Sequence, residues 1–585
     1  MQIFRSLVCL VLMVLPLAIR AQTTGTEVPA ELVAERLLVH TDRQLYISGE
    51  VIWFRLLAFA ADTDQLSDFS QVAYVELISP DRIPVSRVKI DLNAGQGNGS
   101  IELPQALNSG SYVLRAYTQA MRNGAETDFA RSKLIILNPG QAVVRADAAR
   151  AGDYAGFVPE HPTLTVDPAR SLNIQIETVQ ATVGQRSEAV LEITTTDAAG
   201  RPVSADLSLA VALQATENTG TVPLFQEGSR PAGRPAVAPG SIRYAPEDRG
   251  MNLSGKVIDE VTQSGAADAD IFLAFPGDVA RVYMARTDEA GNFSFLLPEL
   301  YGLRQVVLQT HPEETRNLRM ELTDEFHPIA AKDQTTFILP PDWVPVANAA
   351  LVNAQVRQSY QSFELPPVYE VGNHFDSIPF FGQPEALYRL DDYNRFPLPE
   401  FFFEIVLEVA VKGKYGSERV EVINEWESPF EDPKPLLLVD GVPVFDQRTF
   451  LKINNKLIET AEIVTEPFWL NPLFYNGVIQ LISFEKDGRC FRLPENALQR
   501  SFLTLLPERQ FSVPDYAAQP DSRLPDFRNT LYWDPSVHTD EQGKATVRFF
   551  TGDAVGNFEI RLEGVSPEGH LGSSAGSLEV VKEVR

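Results

Sequence analysis

Cysteine is nearly absent from these 585 residues: there are two, Cys9 and Cys490. Cys9 lies inside an N-terminal leader that is expected to be removed. A single remaining thiol excludes an intrachain disulfide, a zinc ribbon and a redox pair. Histidine is also sparse. The seven histidines, at 40, 161, 311, 327, 374, 538 and 570, are scattered, with no H-E-x-x-H and no close pair. A zinc hydrolase is therefore not expected. Positive charge is in deficit, with 50 Lys and Arg against 78 Asp and Glu and a net charge of -28. Such a surface repels nucleic acid phosphates and anionic headgroups, and its plainest role is solubility. Long apolar runs are missing beyond the leader, so no transmembrane segment is expected in the mature chain.

The leader is "MQIFRSLVCLVLMVLPLAIRAQ". It has Arg5, an apolar run from Leu7 to Leu17, and Ile19-Arg20-Ala21 before Gln22. This pattern is that of a secretory signal peptide, residues 1–21, cut after Ala21. The apolar run is too short to span a bilayer. No small-residue lipobox precedes Cys9, so lipid attachment there is not expected. The mature chain reads as exported and soluble.

What is present is punctuation. The 41 prolines and 36 glycines are spread over the whole length, which favours many short strands joined by turns. With 44% hydrophobic and 22% charged residues the chain has the composition of folded globular protein, and its length implies several domains. The fold class expected is mainly β: tandem antiparallel β-sandwiches followed by a small α/β domain.

The first sandwich is placed at 28–140. "LLVHTDRQLYISGEVIWFRLLAF" (37–59) alternates apolar and polar residues around Ser48-Gly49. "VAYVELISPDRIPVSRVKIDL" (72–92) and "GSIELPQALNSGSYVLRAYT" (99–118) repeat the pattern, with turns every 8–12 residues. The order T-D-R-x-L-Y-x-x-G-E, then L-P-x-x-L-x-x-G-x-Y-x-L-R-A, resembles the second macroglobulin domain of the alpha-2-macroglobulin family. Thr41, Asp42, Arg43, Tyr46, Gly49 and Glu50 carry the first part, and Gly110, Tyr112 and Arg115 the second. Each also has a purely architectural reading, glycines for turns and tyrosines for the core.

Four further strand-like runs lie in 172–213, and a second macroglobulin-type module is placed at 165–225. The stretch 226–248 contains "QEGSRPAGRPAVAPGS" and reads as a linker. At 249–325, Gly255-Lys256-Val257 followed by T-D-x-x-G-x-F-x-F resembles a carboxypeptidase-regulatory-type domain, a transthyretin-like sandwich without catalytic function of its own. The phrase T-D-x-x-G recurs at 196–200, 287–291 and 539–543. None of these aspartates begins a D-x-D-x-D-G loop, so they are read as hairpin turns and not as calcium ligands. Residues 326–399 form a connecting segment with one helix expected over 347–363, from the spacing of Ala347, Leu351, Ala354, Val356 and Tyr360.

The α/β domain is placed at 400–490. "PKPLLLVDGVPVFD" (433–446) reads as a buried strand, an Asp-Gly turn and a second short strand. With I-E-x-x-E-I-V and Y-x-G-V-I-x-L-I downstream, it resembles the plug domain of TonB-dependent outer-membrane transporters. Asp440, Gly441, Ile458, Glu459, Ile463, Tyr475, Gly477 and Ile479 carry the resemblance. The chain that follows is too short for such a transporter's barrel. The module is therefore expected to act as a scaffold or docking unit, with Asp440, Gly441, Tyr475 and Gly477 as candidate partner contacts. A C-terminal macroglobulin-like segment at 525–585 is small for a sandwich and is expected to complete a sheet with an earlier segment.

No catalytic residue, cofactor or metal site is expected. Gly572-Ser573-Ser574-Ala575-Gly576 matches G-x-S-x-G, but a strand-like run follows and no His comes after Ser574. Cys490 sits in "GRCFRL", without the C-x-E-Q sequence of thioester-forming macroglobulins. The combination of modules resembles multidomain envelope proteins of Gram-negative bacteria. That resemblance implies a non-enzymatic binding or scaffold protein, periplasmic or outer-membrane-associated, whose partner is an outer-membrane barrel protein or envelope complex. The alternative is a protease inhibitor or an enzyme, which would require an acid, a base and a nucleophile to converge in the fold.

Overall fold

Period-two alternation becomes strands stacked as pairs of sheets, and the fold is mainly β. The computed structural model describes residues 34–141, 164–166, 170–214, 225–227, 243–329, 337–360, 378–424 and 434–582, apart from 62, 64, 299, 394–395, 415–416, 471–472 and 520–521. The leader lies outside the described residues.

In the first sandwich, strands Glu35–Thr41, Val51–Ala60 and Gln96–Glu102 form a three-stranded antiparallel sheet. It faces a five-stranded sheet ordered Leu45–Ile47, Ala130–Leu137, Gly110–Thr118, Val72–Ile78, Pro84–Asp91. Val39, Phe54, Leu56, Val75, Leu77 and Leu114 lie in the core. Strand Val72–Ile78 is buried along its whole length. Its outer side carries Tyr74 and Glu76, and segments near 247 and 325 cover it. Tyr74 Oη donates to Glu247 Oε1 at 3.0 Å, Lys89 Nζ pairs with Glu325 at 2.5 Å, and Arg115 Nη2 donates to the His327 carbonyl at 2.9 Å. These contacts join the first sandwich to the third.

The second sandwich is built from two distant pieces. Glu188–Thr196 pairs with Asn173–Thr178 on one side and with Lys544–Phe550 on the other. Asp206–Leu213 lies between Thr530–His538 and Gly556–Val565. Leu191, Ile193, Leu209, Phe558, Ile560 and Leu562 share one core. The segments placed at 165–225 and 525–585 are thus halves of a single unit. The third sandwich is also interrupted. Met251–Asp259 pairs with Asn292–Leu297 and Leu318–Leu322, and Asp270–Ala274 lies between Val282–Arg286 and Leu303–Thr310. Its last strand, Leu498–Leu503, arrives from beyond the α/β unit and pairs with Leu303–Thr310. The α/β unit is therefore inserted in the third sandwich, and the third sandwich in the second.

The α/β unit is a mixed sheet ordered Ala386–Arg389, Ile458–Val464, Val478–Ser483, Leu436–Val439, Val442–Pro443. Leu437 and Val439 face helices Leu398–Glu404 and Gln447–Leu451. Leu436 and Leu438 face Phe272, Ala274, Val282 and Val307 of the third sandwich. Burial on both faces is why the strand reads as an unbroken apolar run. Strand Ala386–Arg389 shows that the unit begins before residue 400.

The connecting helix runs Val344–Tyr360, earlier than the spacing suggested; 361–363 lie outside the described residues. Val346, Ala347 and Ala350 pack on Leu45, Ile47, Ile135 and Leu137 of the first sandwich, while Tyr360 is exposed. Within the region read as linker, Phe225–Glu227 pairs in parallel with Leu164–Val166. Residues 228–242 lie outside the described residues, and Asn123 binds the backbone of Arg243 and Tyr244 through hydrogen bonds of 2.8 to 2.9 Å.

Candidate interaction site

The T-D-R-x-L-Y-x-x-G-E stretch is a junction between modules. Asp42 Oδ1 accepts from Tyr46 Oη at 2.7 Å and from the Trp53 amide at 3.0 Å, while Oδ2 accepts from Thr530 Oγ1 of the second sandwich at 2.6 Å. Arg43 Nη2 donates to Glu50 Oε2 at 2.6 Å, and Glu50 Oε1 accepts from Asn529 Nδ2 at 2.8 Å. Asn353 of the connecting helix donates to Asn529 Oδ1 at 3.0 Å, and Arg561 donates to the Thr41 carbonyl at 2.7 Å. One short motif thus ties three pieces of chain together. Burial is compensated by full pairing, which is what makes a buried polar network specific. The architectural reading of the motif assigned Gly49 to a turn and Tyr46 to the core; the contacts of Asp42 and Glu50 with Thr530 and Asn529, and of Asn529 with Asn353, come from residues far away in the chain.

The four residues expected to contact a partner are placed inside or against this chain. Asp440 is fully buried at φ 49°, and its carboxylate accepts from the Ser483 amide at 2.6 Å, Ser483 Oγ at 2.7 Å and the Gly488 amide at 2.9 Å. Gly441, at φ 76°, lies against the third sandwich: a Cβ there would sit 3.1 Å from Ala280 Cα. Gly477 has φ 89° and closely approaches the Val464 carbonyl and Val422. Tyr475 is half-buried in the hairpin Phe468–Leu470/Leu473–Tyr475, and burial raises its phenol pKa. For Asp440, Gly441 and Gly477, which are buried, the contacts seen are intramolecular.

A nucleophile, a base and an acid do converge, between the first and second sandwiches. His40 Nδ1 lies 2.6 Å from Ser208 Oγ and 3.8 Å from Glu563 Oε2. Both partners address the same ring nitrogen, whereas a proton relay needs one on each. All three side chains are buried. Burial pushes the Glu563 carboxyl up to about 8, with Arg561 and Arg55 opposing the shift. The arrangement is therefore a buried polar contact, with a protonated carboxyl at neutral pH.

Ser574 lies within the strand Leu571–Val581, opposite Leu562, and forms no nucleophile elbow. Among the described residues no group of three or more His, Cys, Asp or Glu is placed to hold a metal ion. The recurrent T-D-x-x-G aspartates close turns instead. Asp197, Asp288 and Asp540 each accept two backbone amides through Oδ1, at 2.7 to 2.9 Å. Burial raises the Cys490 thiol to about 12, with Asp440 adding to the shift, which disfavours the reactive thiolate.

The exposed apolar surface concentrates on the α/β unit. Half of the large apolar side chains exposed among the described residues lie between Ile378 and Phe484. Phe403 and Leu407 are 68% and 81% exposed, and Leu407 lies beside the edge strand Ala386–Arg389, where Tyr388 Oη accepts from the Leu407 amide at 3.4 Å and donates to Glu408 Oε2 at 2.6 Å. Among the described residues that strand pairs only with Ile458–Val464, which leaves its outer backbone edge open among them.

Stacked and interleaved β-sandwiches define the class. No protein-family model and no curated protein matches the sequence. Among solved structures, trypsin-activated alpha-2-macroglobulin from Escherichia coli aligns at 10% identity over 94% of this chain and 42% of its own, with a TM-score of 0.24. Salmonella alpha-2-macroglobulin reacted with methylamine aligns at 11% identity over 96% and 40%, with a TM-score of 0.23. An Escherichia coli adhesin aligns at 11% identity over 48% and 62%, with a TM-score of 0.14. The chain spans about two fifths of the macroglobulins' length, and likeness at these scores carries no functional assignment. Among the described residues no helix is long and apolar enough to cross a membrane.

Proposed function

We propose that this chain is a non-enzymatic exported binding or scaffold protein of the bacterial cell envelope, and that its plug-like α/β unit docks on an outer-membrane barrel protein or assembly complex. One observation supports the reading above the others: the crowding of exposed apolar side chains, with a strand edge left open among the described residues, on that unit. Exposed apolar surface of this kind marks interaction sites, and an open edge accepts a partner strand. The junction around Asp42, Glu50 and Asn529 suits a rigid frame that presents the unit.

The test is a tagged purification from envelope solubilised in mild detergent, with mass spectrometry of what co-purifies. A stoichiometric barrel protein, lost on Phe403→Asp plus Leu407→Asp in a chain of unchanged melting midpoint, is the expected result. A lone monomer would overturn the proposal.

A further inference from the structure

A second surface has a different chemistry. Between the first and third sandwiches lies a cleft of about 760 Å³, within the range of small-ligand sites. Its floor is the outer face of strands Met251–Asp259 and Asn292–Leu297, where Ser254 stands opposite Ser294. Its walls are the turn Ala120–Asn123 with Gln119, the segment 243–245, and the segment 323–328.

The walls are held firmly. Arg122 Nη1 donates to Gln119 Oε1 at 2.8 Å and to the Glu325 carbonyl at 2.7 Å, and Nη2 to the Asp324 and Phe326 carbonyls at 3.2 Å. Its guanidinium also stacks on Tyr244 at 3.9 Å. Arg122 is only 6% exposed, yet its Nε has no hydrogen-bond partner. That atom has no accessible surface either, so it lies behind the wall and out of a ligand's reach.

Six lining residues are neutral hydrogen-bonding side chains, Gln119, Asn252, Ser254, Asn292, Ser294 and Thr323; of these, Ser294 Oγ donates to Asn252 Oδ1 at 2.7 Å, Asn292 Nδ2 to Asp288 Oδ2 at 3.0 Å and Gln119 Nε2 to the Glu325 carbonyl at 2.9 Å. The charges of the lining nearly cancel. Arg122 and Arg243 face Asp288, Asp324 and Glu325, and Glu325 is already paired with Lys89. A charged ligand would find no net partner, and an apolar one would strip water from amides and hydroxyls without replacing their hydrogen bonds. A polyhydroxylated ligand carries both donors and acceptors and meets neither penalty.

We propose that this cleft is a binding site for an uncharged saccharide, with Ser254 on the floor and Thr323 on the rim pairing with its hydroxyls. The site is independent of the docking surface on the α/β unit.

The experiment is saturation-transfer NMR and titration calorimetry on the full chain with maltotriose, cellotriose and chitotriose as probes. Saturable binding of at least one is expected. Ser254→Trp fills the floor without touching the core, and it should weaken binding at least about tenfold at an unchanged melting midpoint. If that variant fails to fold, Thr323→Trp on the exposed rim takes its place with the same expectation. No binding by any of the three, binding indifferent to the substitution, or binding only of a carboxylated sugar or a peptide would each overturn the proposal.

Discussion

Glu50 accepts a hydrogen bond from Asn529 at 2.8 Å across 479 residues of sequence. The bond closes the long loop in which the third sandwich and the α/β unit are inserted. Both residues are buried, so their partners cannot turn to water when the bond is lost. Asn529→Ala should cost about 1–3 kcal/mol in urea unfolding. Combined with Glu50→Gln it should be non-additive by about 0.5–3 kcal/mol. Strict additivity would mean that the two side chains do not couple in solution.

The Asp440 carboxylate holds three donors at once, two from Ser483 and one from Gly488. Asp440→Ala leaves them buried without an acceptor and should destabilise the α/β unit by about 3 kcal/mol. Hydrogen exchange should speed up across 434–488 while strands 556–565 and 571–581 keep their protection. Uniform loss of protection in both regions would instead make the nested units one cooperative block.

Stability should depend on pH through Glu563. Burial raises its pKa from 4.5 to about 8, so the folded chain retains a proton that the unfolded chain has released. The contribution is full below the unfolded value, declines as pH rises from 4.5 towards 8, and is constant above. Glu247, raised by burial to about 7, adds a decline in the lower part of the window. Glu563→Gln should flatten the slope by up to about 1.4 kcal/mol per pH unit between pH 5 and 7. Urea midpoints measured from pH 5 to 9 check this, and an unchanged slope would assign the titration to another group.

The repeated turns should respond unequally to one substitution. At Gly200, φ is +77° with open space around it, so Gly200→Ala should cost only about 1–2 kcal/mol, the price of the left-handed backbone. At Gly543, φ is +68° and a Cβ would sit 2.2 Å from the Thr195 carbonyl oxygen. Gly543→Ala should therefore be clearly the more damaging in thermal unfolding. Equal costs would mean that the Thr195 strand moves aside freely.

Strand content and the local units were legible because alternation and turn chemistry are local properties. The T-D-x-x-G turns are the clearest case, since Asp and the later Gly sit within the same few residues. The unbroken "LLLV" run pointed to a buried strand. What covers it could not be read, because Phe272 and Val282 lie far earlier in the chain and nothing local links them to Leu436 and Leu438.

The sequence by itself therefore determined the β class, the turn positions and the alternating faces of each strand. Only the tertiary structure decided that 171–213 and 530–581 share a core, that the outer face of "VAYVELI" is buried, and that Asp42 and Glu50 act between modules. The reason is physical. Alternation is set by the pleat of a single strand, whereas which strand completes a sheet depends on edges brought together by chain segments hundreds of residues apart.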